Sequence, residues 1–153
     1  MNQNFSYHMP TKIVFGVNEL ENISKYINGR KTLLITSQGF VKRGLVDKIK
    51  TLCDTIIYVF TDVKSHPEFK DLESAYETIH KNDFELILAI GGGSVLDASK
   101  YISVYNDSKE ASFVTNVIKG QLPKENYKTI PIIAVPTTAG TGSEITPWAT
   151  IWD

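Results

Sequence analysis

The stretch of this sequence best suited to chemistry is a run of glycines between an apolar segment and a helical pattern. The five residues 86–90 are all apolar, which is typical of a strand buried on both faces of a sheet. Gly91, Gly92 and Gly93 follow, and Ser94 begins a pattern of helical spacing. The first N–H groups of a helix lack partners within it, and together with the helix dipole they attract anions. The sequence therefore predicts a phosphate site after residue 90.

A purely structural role is the alternative for the same residues. Glycine brings no side chain that would hold a diphosphate away from the backbone, but the turn could also serve only to pack the helix against the strand. Ser94 and Asp97 have the spacing of a capping box, and the glycines lack the GxGxxG spacing of the dinucleotide fingerprint. Asp97 could equally contact a ligand at the mouth of the helix. Both interpretations remain open at this point.

A second loop, residues 136–144, is rich in hydroxyl groups and glycine. Gly140 and Gly142 allow a ligand to approach the backbone. The hydroxyl groups, which can donate and accept, belong to Thr137, Thr138, Thr141 and Ser143. This composition suits a diphosphate, a ribose or a carboxamide, while the alternative is a tight polar turn that bonds to its own backbone.

Ser37 follows the buried strand predicted over 32–36, where nucleotide-binding folds place the adenosine ribose. An acidic residue there would bind a ribose 2′-hydroxyl and repel a 2′-phosphate. Ser37 does neither, and Lys42 and Arg43 lie close in sequence. This pattern hints at NADP, which is slightly favoured over NAD. The alternative is an exposed loop serine with no role in selectivity.

The elements that position these loops alternate along the chain. The pattern predicts strands over 12–15, 32–36, 55–60, 86–90 and 132–135, with those over 32–36, 55–60 and 86–90 buried, and an extended piece over 146–151. Helices are predicted between them, over about 18–27, 41–52, 67–82 and 94–105, and residues 106–129 are predicted to be a loop. This alternation indicates an α/β fold, a Rossmann-like parallel sheet with helices on both faces. The candidate loops then share the carboxyl edge of the sheet.

Composition excludes several classes of protein. The net charge of −1 and the lack of a Lys/Arg cluster predict no nucleic-acid partner, and no apolar run is long enough to predict a membrane span. The N-terminus does not resemble a secretory signal, and the single cysteine, Cys53, is typical of a reducing compartment, so a cytoplasmic location is expected. The three histidines, His8, His66 and His80, have no metal-ligand spacing, and no catalytic pair is evident.

Two motifs, residues 91–100 and 136–144, resemble the N-terminal half of the iron-containing (group III) alcohol dehydrogenases. The resemblance extends over essentially the whole chain. It implies that residues 1–153 form a dinucleotide-binding α/β domain truncated at its C-terminal end. In complete members an all-helical C-terminal domain follows and holds a divalent metal, Fe or Zn. That domain is the partner which the resemblance implies.

The resemblance also implies which residues bind the cofactor. Gly92, Gly93 and Ser94 match the positions that hold the diphosphate, and the second loop matches the part that lines the cofactor towards the nicotinamide. Ser37 matches a position where NAD-preferring members often carry Asp. The full candidate set is Ser37, Gly92, Gly93, Ser94, Asp97, Thr137, Thr138 and Thr141. His66 stands where many members have Asn, and no residue of this chain matches a metal ligand.

The implied activity is hydride transfer between nicotinamide and a small alcohol or aldehyde in an NAD(P)-dependent, metal-assisted enzyme, with this part alone inactive. One alternative is a stand-alone, non-catalytic nucleotide-binding domain. Another is a relative of glycerol dehydrogenase or dehydroquinate synthase, although the run Thr138 to Glu144 argues against it. The oligomeric state is open, with a homodimer as one possibility.

Overall fold

The computed structural model of the chain describes residues 8–107, 110–122 and 127–153. Its strands are β1 (Thr32–Ile35), β2 (Ile56–Phe60), β3 (Leu86–Gly91), β4 (Val104–Tyr105), β5 (Lys128–Thr129) and β6 (Ile132–Pro136). Its helices are α1 (Ile23–Ile27), α2 (Gln38–Lys42), α3 (Leu45–Leu52), α4 (Phe69–His80), α5 (Gly93–Ser103) and α6 (Ala111–Ile118), and a 3₁₀ turn (Glu19–Asn22) precedes α1. None of the described helices is long and apolar enough to cross a membrane.

The main sheet is parallel, with the strand order β2-β1-β3-β6. The order runs outward in one direction from β1 to β2 and in the other direction from β3 to β6. The switch point therefore lies between the carboxyl ends of β1 and β3, where α/β sheets bind ligands. A separate antiparallel pair joins β4 to β5.

The two central strands carry a core on each face of the sheet. All residues of β1 and β3 are buried, and successive side chains point to opposite faces. One face packs against α4, α5 and α6 through Leu33, Ile35, Ile87 and Ala89. The other packs against α1 and α3 through Leu34, Leu86, Leu88 and Ile90. The expected α/β fold with helices on both faces is confirmed.

Two strand predictions need correction. Residues 12–15 form no strand, and no described segment pairs with them; the Phe15 side chain is 99% exposed. Residues 56–60 do form β2, but β2 is an edge strand, and Ile57 is 42% exposed rather than buried. Local composition marks a segment as strand-like, whereas its neighbours in the sheet decide whether it pairs and how deeply it is buried.

Two helix predictions also need correction. The single helix expected over 41–52 is two helices, because Gly44 adopts a left-handed conformation with φ 74° and ends the first of them. The polar segment 106–129 contains α6, whose buried residues Ala111, Val114 and Thr115 pack at helical spacing. Residues 108–109 and 123–126 of that predicted loop lie outside the described residues.

Smaller differences occur at the ends of other elements. Helix α4 begins at Phe69, so Pro67 precedes the helix rather than forming its first turn. Helix α5 ends at Ser103, and Tyr105 lies in β4. Residues 146–151 form no strand, although Trp152 makes a single parallel bridge to Glu68.

Two tyrosines in the core between α4, α5 and α6 make the stability of the fold sensitive to alkaline pH. The Tyr76 hydroxyl donates to the Val104 carbonyl at 2.8 Å, and the Tyr101 hydroxyl lies 2.9 Å from Thr115 Oγ1. Burial raises the pKa of Tyr76 and raises the pKa of Tyr101 to about 12. The fold therefore favours the neutral phenols over the phenolates.

We expect the free energy of unfolding to fall as the pH rises from about 10 towards 12. The stability that the neutral phenols contribute is fully present below the unfolded pKa of about 10 and is lost as the pH rises through the folded value. Urea unfolding at pH values across this range, with tyrosinate absorbance followed in parallel, measures the effect. Tyr101→Phe is the matched variant. It should be less stable at neutral pH, but its stability should fall less steeply above pH 10, and an unchanged slope would contradict the assignment.

Candidate functional site

Four loops meet at the carboxyl edge of the parallel sheet, following β1, β2, β3 and β6. A buried hydrogen bond joins two of the strands at the switch point, where Thr36 Oγ1 donates to the Ile90 carbonyl at 2.8 Å. Thr36 is fully buried. The loops that carry Ser37 and the glycine turn therefore begin from a rigid base.

The glycine turn opens α5 with Gly92 as its N-cap residue. The Gly92 carbonyl accepts hydrogen bonds from the N–H groups of Val95 and Leu96, at 3.0 and 3.2 Å. The N–H groups of Gly93 and Ser94, in the first helical turn, have no acceptor inside the helix. This is the donor arrangement and dipole end that binds phosphate in α/β folds.

The hydroxyl-rich loop lies directly against the glycine turn. The Thr137 N–H donates to the Gly91 carbonyl at 2.9 Å. A methyl group placed on Gly92 would lie 3.0 Å from Thr138 Oγ1, and one placed on Gly93 would lie 3.4 Å from the Thr141 methyl. The two motifs predicted separately from the sequence thus form one surface. Because Gly92 and Gly93 have no side chains, the space between the glycine turn and the hydroxyl-rich loop stays open.

Gly140 and Gly142 are also required by backbone conformation, since their φ angles are 85° and 66°. Between and after them, Thr141 Oγ1 accepts from the Ser143 N–H at 3.4 Å, so part of the loop does bond to its own backbone. Thr137, Thr138 and Thr141 remain exposed. Their hydroxyl groups are accessible to a ligand.

The capping box that Ser94 and Asp97 could have formed is absent. Ser94 Oγ donates instead to the Ser65 carbonyl at 2.5 Å, which ties the loop after β2 to the glycine turn. Asp97 accepts from the Thr150 N–H through Oδ2 at 3.1 Å and pairs with Lys100 through Oδ1 at 3.4 Å. Ser65 and Thr150 were not identified from the sequence, because nothing in their local pattern indicates contacts 29 and 53 residues away.

Ser37 lies at the N-terminus of the short helix α2, half-buried, and its side chain makes no capping hydrogen bond. The Arg43 guanidinium stacks over the Phe40 ring at 4.3 Å. A methyl group on Gly39 would lie 3.7 Å from both terminal nitrogens of Arg43 and 3.8 Å from Ser37 Oγ. Ser37 and Arg43 therefore flank the same small space, whereas the Lys42 side chain is exposed.

The histidines do not form a metal site in the described part of the chain, where no group of three or more His, Cys, Asp or Glu side chains is close enough to hold an ion. His66 packs edge-on against Trp152, with ring centroids 5.6 Å apart. His80 is buried, with Nε2 2.9 Å from the Ile102 carbonyl, and it stacks on Tyr76. The His, Cys, Asp and Glu side chains of the described residues therefore do not form a ligand set for the divalent metal that the resemblance implies for complete members of the family.

Comparison with known protein families shows to which family this chain belongs. The family model described as "Iron-containing alcohol dehydrogenase" matches residues 10–153. The chain belongs to the iron-containing alcohol dehydrogenases. The resemblance seen in the glycine and hydroxyl motifs is therefore confirmed at the level of the family.

Several family relatives cover almost the whole chain. Choline dehydrogenase of Bacillus subtilis is 32% identical over 97% of this chain and 38% of its own length. NADH-dependent butanol dehydrogenase A of Clostridium acetobutylicum is 32% identical over 96% of this chain and 38% of its own length. Sulfoacetaldehyde reductase of Bifidobacterium kashiwanohense, solved in complex with NAD⁺, superposes with a TM-score of 0.74 at 30% identity, covering 95% of this chain and 39% of that one. The chain thus spans about two fifths of the length of these relatives.

Proposed function

We propose that this chain is the dinucleotide-binding domain of an NAD(P)-dependent alcohol dehydrogenase or aldehyde reductase. The observation that supports this most strongly is the contact between the two motifs, with Gly92 against Thr138 and Gly93 against Thr141. Both loops lie at the carboxyl edge of a parallel sheet, the glycine turn at its switch point, and the glycines leave the helix N-terminus uncovered. An NADH-dependent relative and an NAD⁺ complex within the family agree with a nicotinamide dinucleotide as the ligand.

The residues of this chain would bind and orient the dinucleotide rather than react with it. The N–H groups of Gly93 and Ser94 would donate to the diphosphate oxygens, and the Thr137, Thr138 and Thr141 hydroxyls would line the cofactor towards the nicotinamide. The bound cofactor supplies the ring carbon that accepts or gives up a hydride. Among the residues that the structure describes, we propose no catalytic residue and no metal ligand. Substrates would be small alcohols or aldehydes, as in the butanol dehydrogenase relative.

Calorimetric titration of the chain with NADH and with NADPH tests the proposal directly. Saturable binding of either dinucleotide, with competition by ADP but not by adenosine, would support a diphosphate site. Adenosine lacks the diphosphate but keeps the ribose and the base, so it separates the glycine turn from the Ser37 region. A folded chain that binds neither dinucleotide would contradict the proposal.

NADP rather than NAD is the dinucleotide we propose for the Ser37 end of the site. Ser37 carries no charge that would repel a 2′-phosphate, and the Arg43 guanidinium lies beside it across Gly39. The chain should therefore bind NADPH more tightly than NADH.

Ser37→Asp should reverse this selectivity. The carboxylate can accept hydrogen bonds from a ribose 2′-hydroxyl but repels a 2′-phosphate, so we expect NADPH affinity to fall about 10- to 100-fold with NADH affinity maintained or improved. Titration of both dinucleotides at two salt concentrations measures the change, and Arg43→Met should weaken NADPH alone. Equal losses for both dinucleotides would contradict a role in selectivity. Gln121→Glu, which adds the same charge on an exposed side chain outside α2, controls for a general effect of added charge.

A further inference from the structure

We propose that Asp97 and Lys100 are positioning residues that fasten residues 148–152, here called the clasp segment, to helix α5 and thereby hold the hydroxyl-rich loop against the glycine turn. This inference rests on the proposed function, because its effect on the site is measured as dinucleotide affinity. It assigns Asp97 a role through the backbone of Thr150 rather than through direct contact with the cofactor.

The attachment to α5 consists of hydrogen bonds from two charged side chains to the backbone of the clasp segment. Asp97 Oδ2 accepts from the Thr150 N–H at 3.1 Å, and Lys100 Nζ donates to the Trp148 carbonyl. The same two side chains pair with each other at 3.4 Å. The side chains of Asp97 and Lys100 are only 11% and 18% exposed, and their hydrogen bonds to the clasp segment are charge-assisted.

The other end of the clasp segment is attached to the loop that precedes α4. The Trp152 N–H donates to the Pro67 carbonyl and the Phe69 N–H donates to the Trp152 carbonyl, both at 2.9 Å. The same loop is joined to the glycine turn, because Ser94 Oγ donates to the Ser65 carbonyl. The contacts close a ring that runs from the start of α5 through the loop and the clasp segment back to the middle of α5.

This ring determines where the hydroxyl-rich loop lies. The loop is attached at its beginning by β6 and by the hydrogen bond from the Thr137 N–H to the Gly91 carbonyl. The Asp97 and Lys100 contacts supply its second attachment, a few residues beyond Glu144. Between them the loop is largely exposed, and Trp148 is 79% exposed, so burial of apolar surface does little to hold it. Because both ends of the hydroxyl-rich loop are attached to the same strand–helix unit, the loop loses less conformational entropy when a dinucleotide binds.

The experiment combines dinucleotide titration with tryptophan fluorescence. Trp148 and Trp152 are the two tryptophans of the chain, and both lie in the clasp segment, so quenching by acrylamide reports on that segment alone. Trp148 is already open to the quencher, so an increase in quenching has to come mainly from Trp152, which is 52% exposed and packs against His66. We expect Asp97→Ala to increase quenching of the unliganded chain and to weaken NADPH and NADH binding to a similar extent, about tenfold. Asp97→Asn keeps an oxygen that can accept from the Thr150 N–H. This variant should retain most of the dinucleotide affinity and most of the protection of the tryptophans from acrylamide.

A second variant removes the same hydrogen bond without a change in α5. Thr150→Pro deletes the donor at an exposed position and should reproduce both effects of Asp97→Ala. Asp54→Ala, which removes an exposed carboxylate before β2, is the matched control and should change neither readout.

The outcomes separate this inference from the proposed function. If the unmodified chain binds no dinucleotide, the proposed function fails, and increased quenching in Asp97→Ala and Thr150→Pro would still support the clasp. If the chain binds dinucleotide but both variants match it in affinity and quenching, the clasp is overturned and the proposed function stands. A loss of affinity without increased quenching in Asp97→Ala, and with normal affinity in Thr150→Pro, would also overturn it, because Asp97 would then contact the cofactor directly.

Discussion

Gly92→Val should weaken binding of both dinucleotides by about 100-fold, which corresponds to about 2.8 kcal/mol of binding free energy. Even a single added carbon at Gly92 would lie 3.0 Å from Thr138 Oγ1, and the two further methyl groups of valine need space that a diphosphate would otherwise fill. The backbone at Gly92, with φ −78° and ψ −174°, is one that valine adopts readily. The expected effect therefore comes from filling the site rather than from strain in the chain.

Calorimetric titration of Gly92→Val, together with thermal unfolding, measures this effect. Gly92→Ala should lie between the unmodified chain and the valine variant, with a loss of about tenfold. Gly16→Val is the matched control, because a methyl group at Gly16 meets nothing closer than 3.5 Å and lies outside the site. Unchanged affinity in Gly92→Val would exclude the glycine turn as the diphosphate site, and that result would remove the main support for the proposed function.

Gly91→Ala should cause the largest loss of stability among single changes at the site. A methyl group there would lie 2.6 Å from both Cβ and Cγ2 of Val95, well inside van der Waals contact. Gly91 is buried at the end of the central strand β3 and Val95 is 5% exposed in the first turns of α5, so neither can move freely. Overpacking of this kind costs about 1–3 kcal/mol, or a fall of roughly 2–4 °C in Tm for each kcal/mol in a chain of this size.

A double-mutant cycle with Val95→Gly identifies the clash as the cause. Val95→Gly alone should also destabilise the chain, because it removes a buried side chain and places glycine in a helix. In the double variant the new methyl group occupies space that Val95 vacated, so its loss of stability should be smaller than the sum of the two single losses by about 1 kcal/mol or more. Urea unfolding of the four proteins gives the coupling, and additive losses would show that the contact between residues 91 and 95 is not responsible.

The two glycines therefore have different roles, although they are adjacent in the sequence. Gly91 allows helix α5 to pack closely on strand β3, while Gly92 leaves room for a ligand between α5 and the hydroxyl-rich loop. Gly91→Ala should mainly lower the free energy of unfolding, and Gly92→Val should mainly weaken dinucleotide binding. The structural interpretation of the glycine turn therefore applies to Gly91, and the proposed role in diphosphate binding applies to Gly92.

The order of strands and helices could largely be predicted from the sequence, because the patterns that mark it are local. The strands predicted at 32–36, 86–90 and 132–135 correspond to β1, β3 and β6, and each is followed by a loop predicted to face a ligand. The predictions that were wrong concern segments whose state depends on neighbours. Helix α6 is stabilised by packing against α4 and the Tyr101–Thr115 contact, neither of which its own composition indicates. Residues 12–15 have strand-like composition but no partner strand among the described residues.

For the site, the sequence by itself determined which groups are available: glycines that free a helix N-terminus, a loop of threonine hydroxyls, and a serine in place of an acid at position 37. Only the tertiary structure decided which of these groups meet and what each side chain bonds to. The contact of Gly92 with Thr138 and the attachment of Asp97 to Thr150 join residues 46 and 53 positions apart. Such contacts depend on strand order and crossover packing, and the strand order β2-β1-β3-β6 is what brings β6 and its loop beside β3. The local pattern of residues does not encode that strand order. The sequence therefore indicated the chemistry of the site but not its geometry.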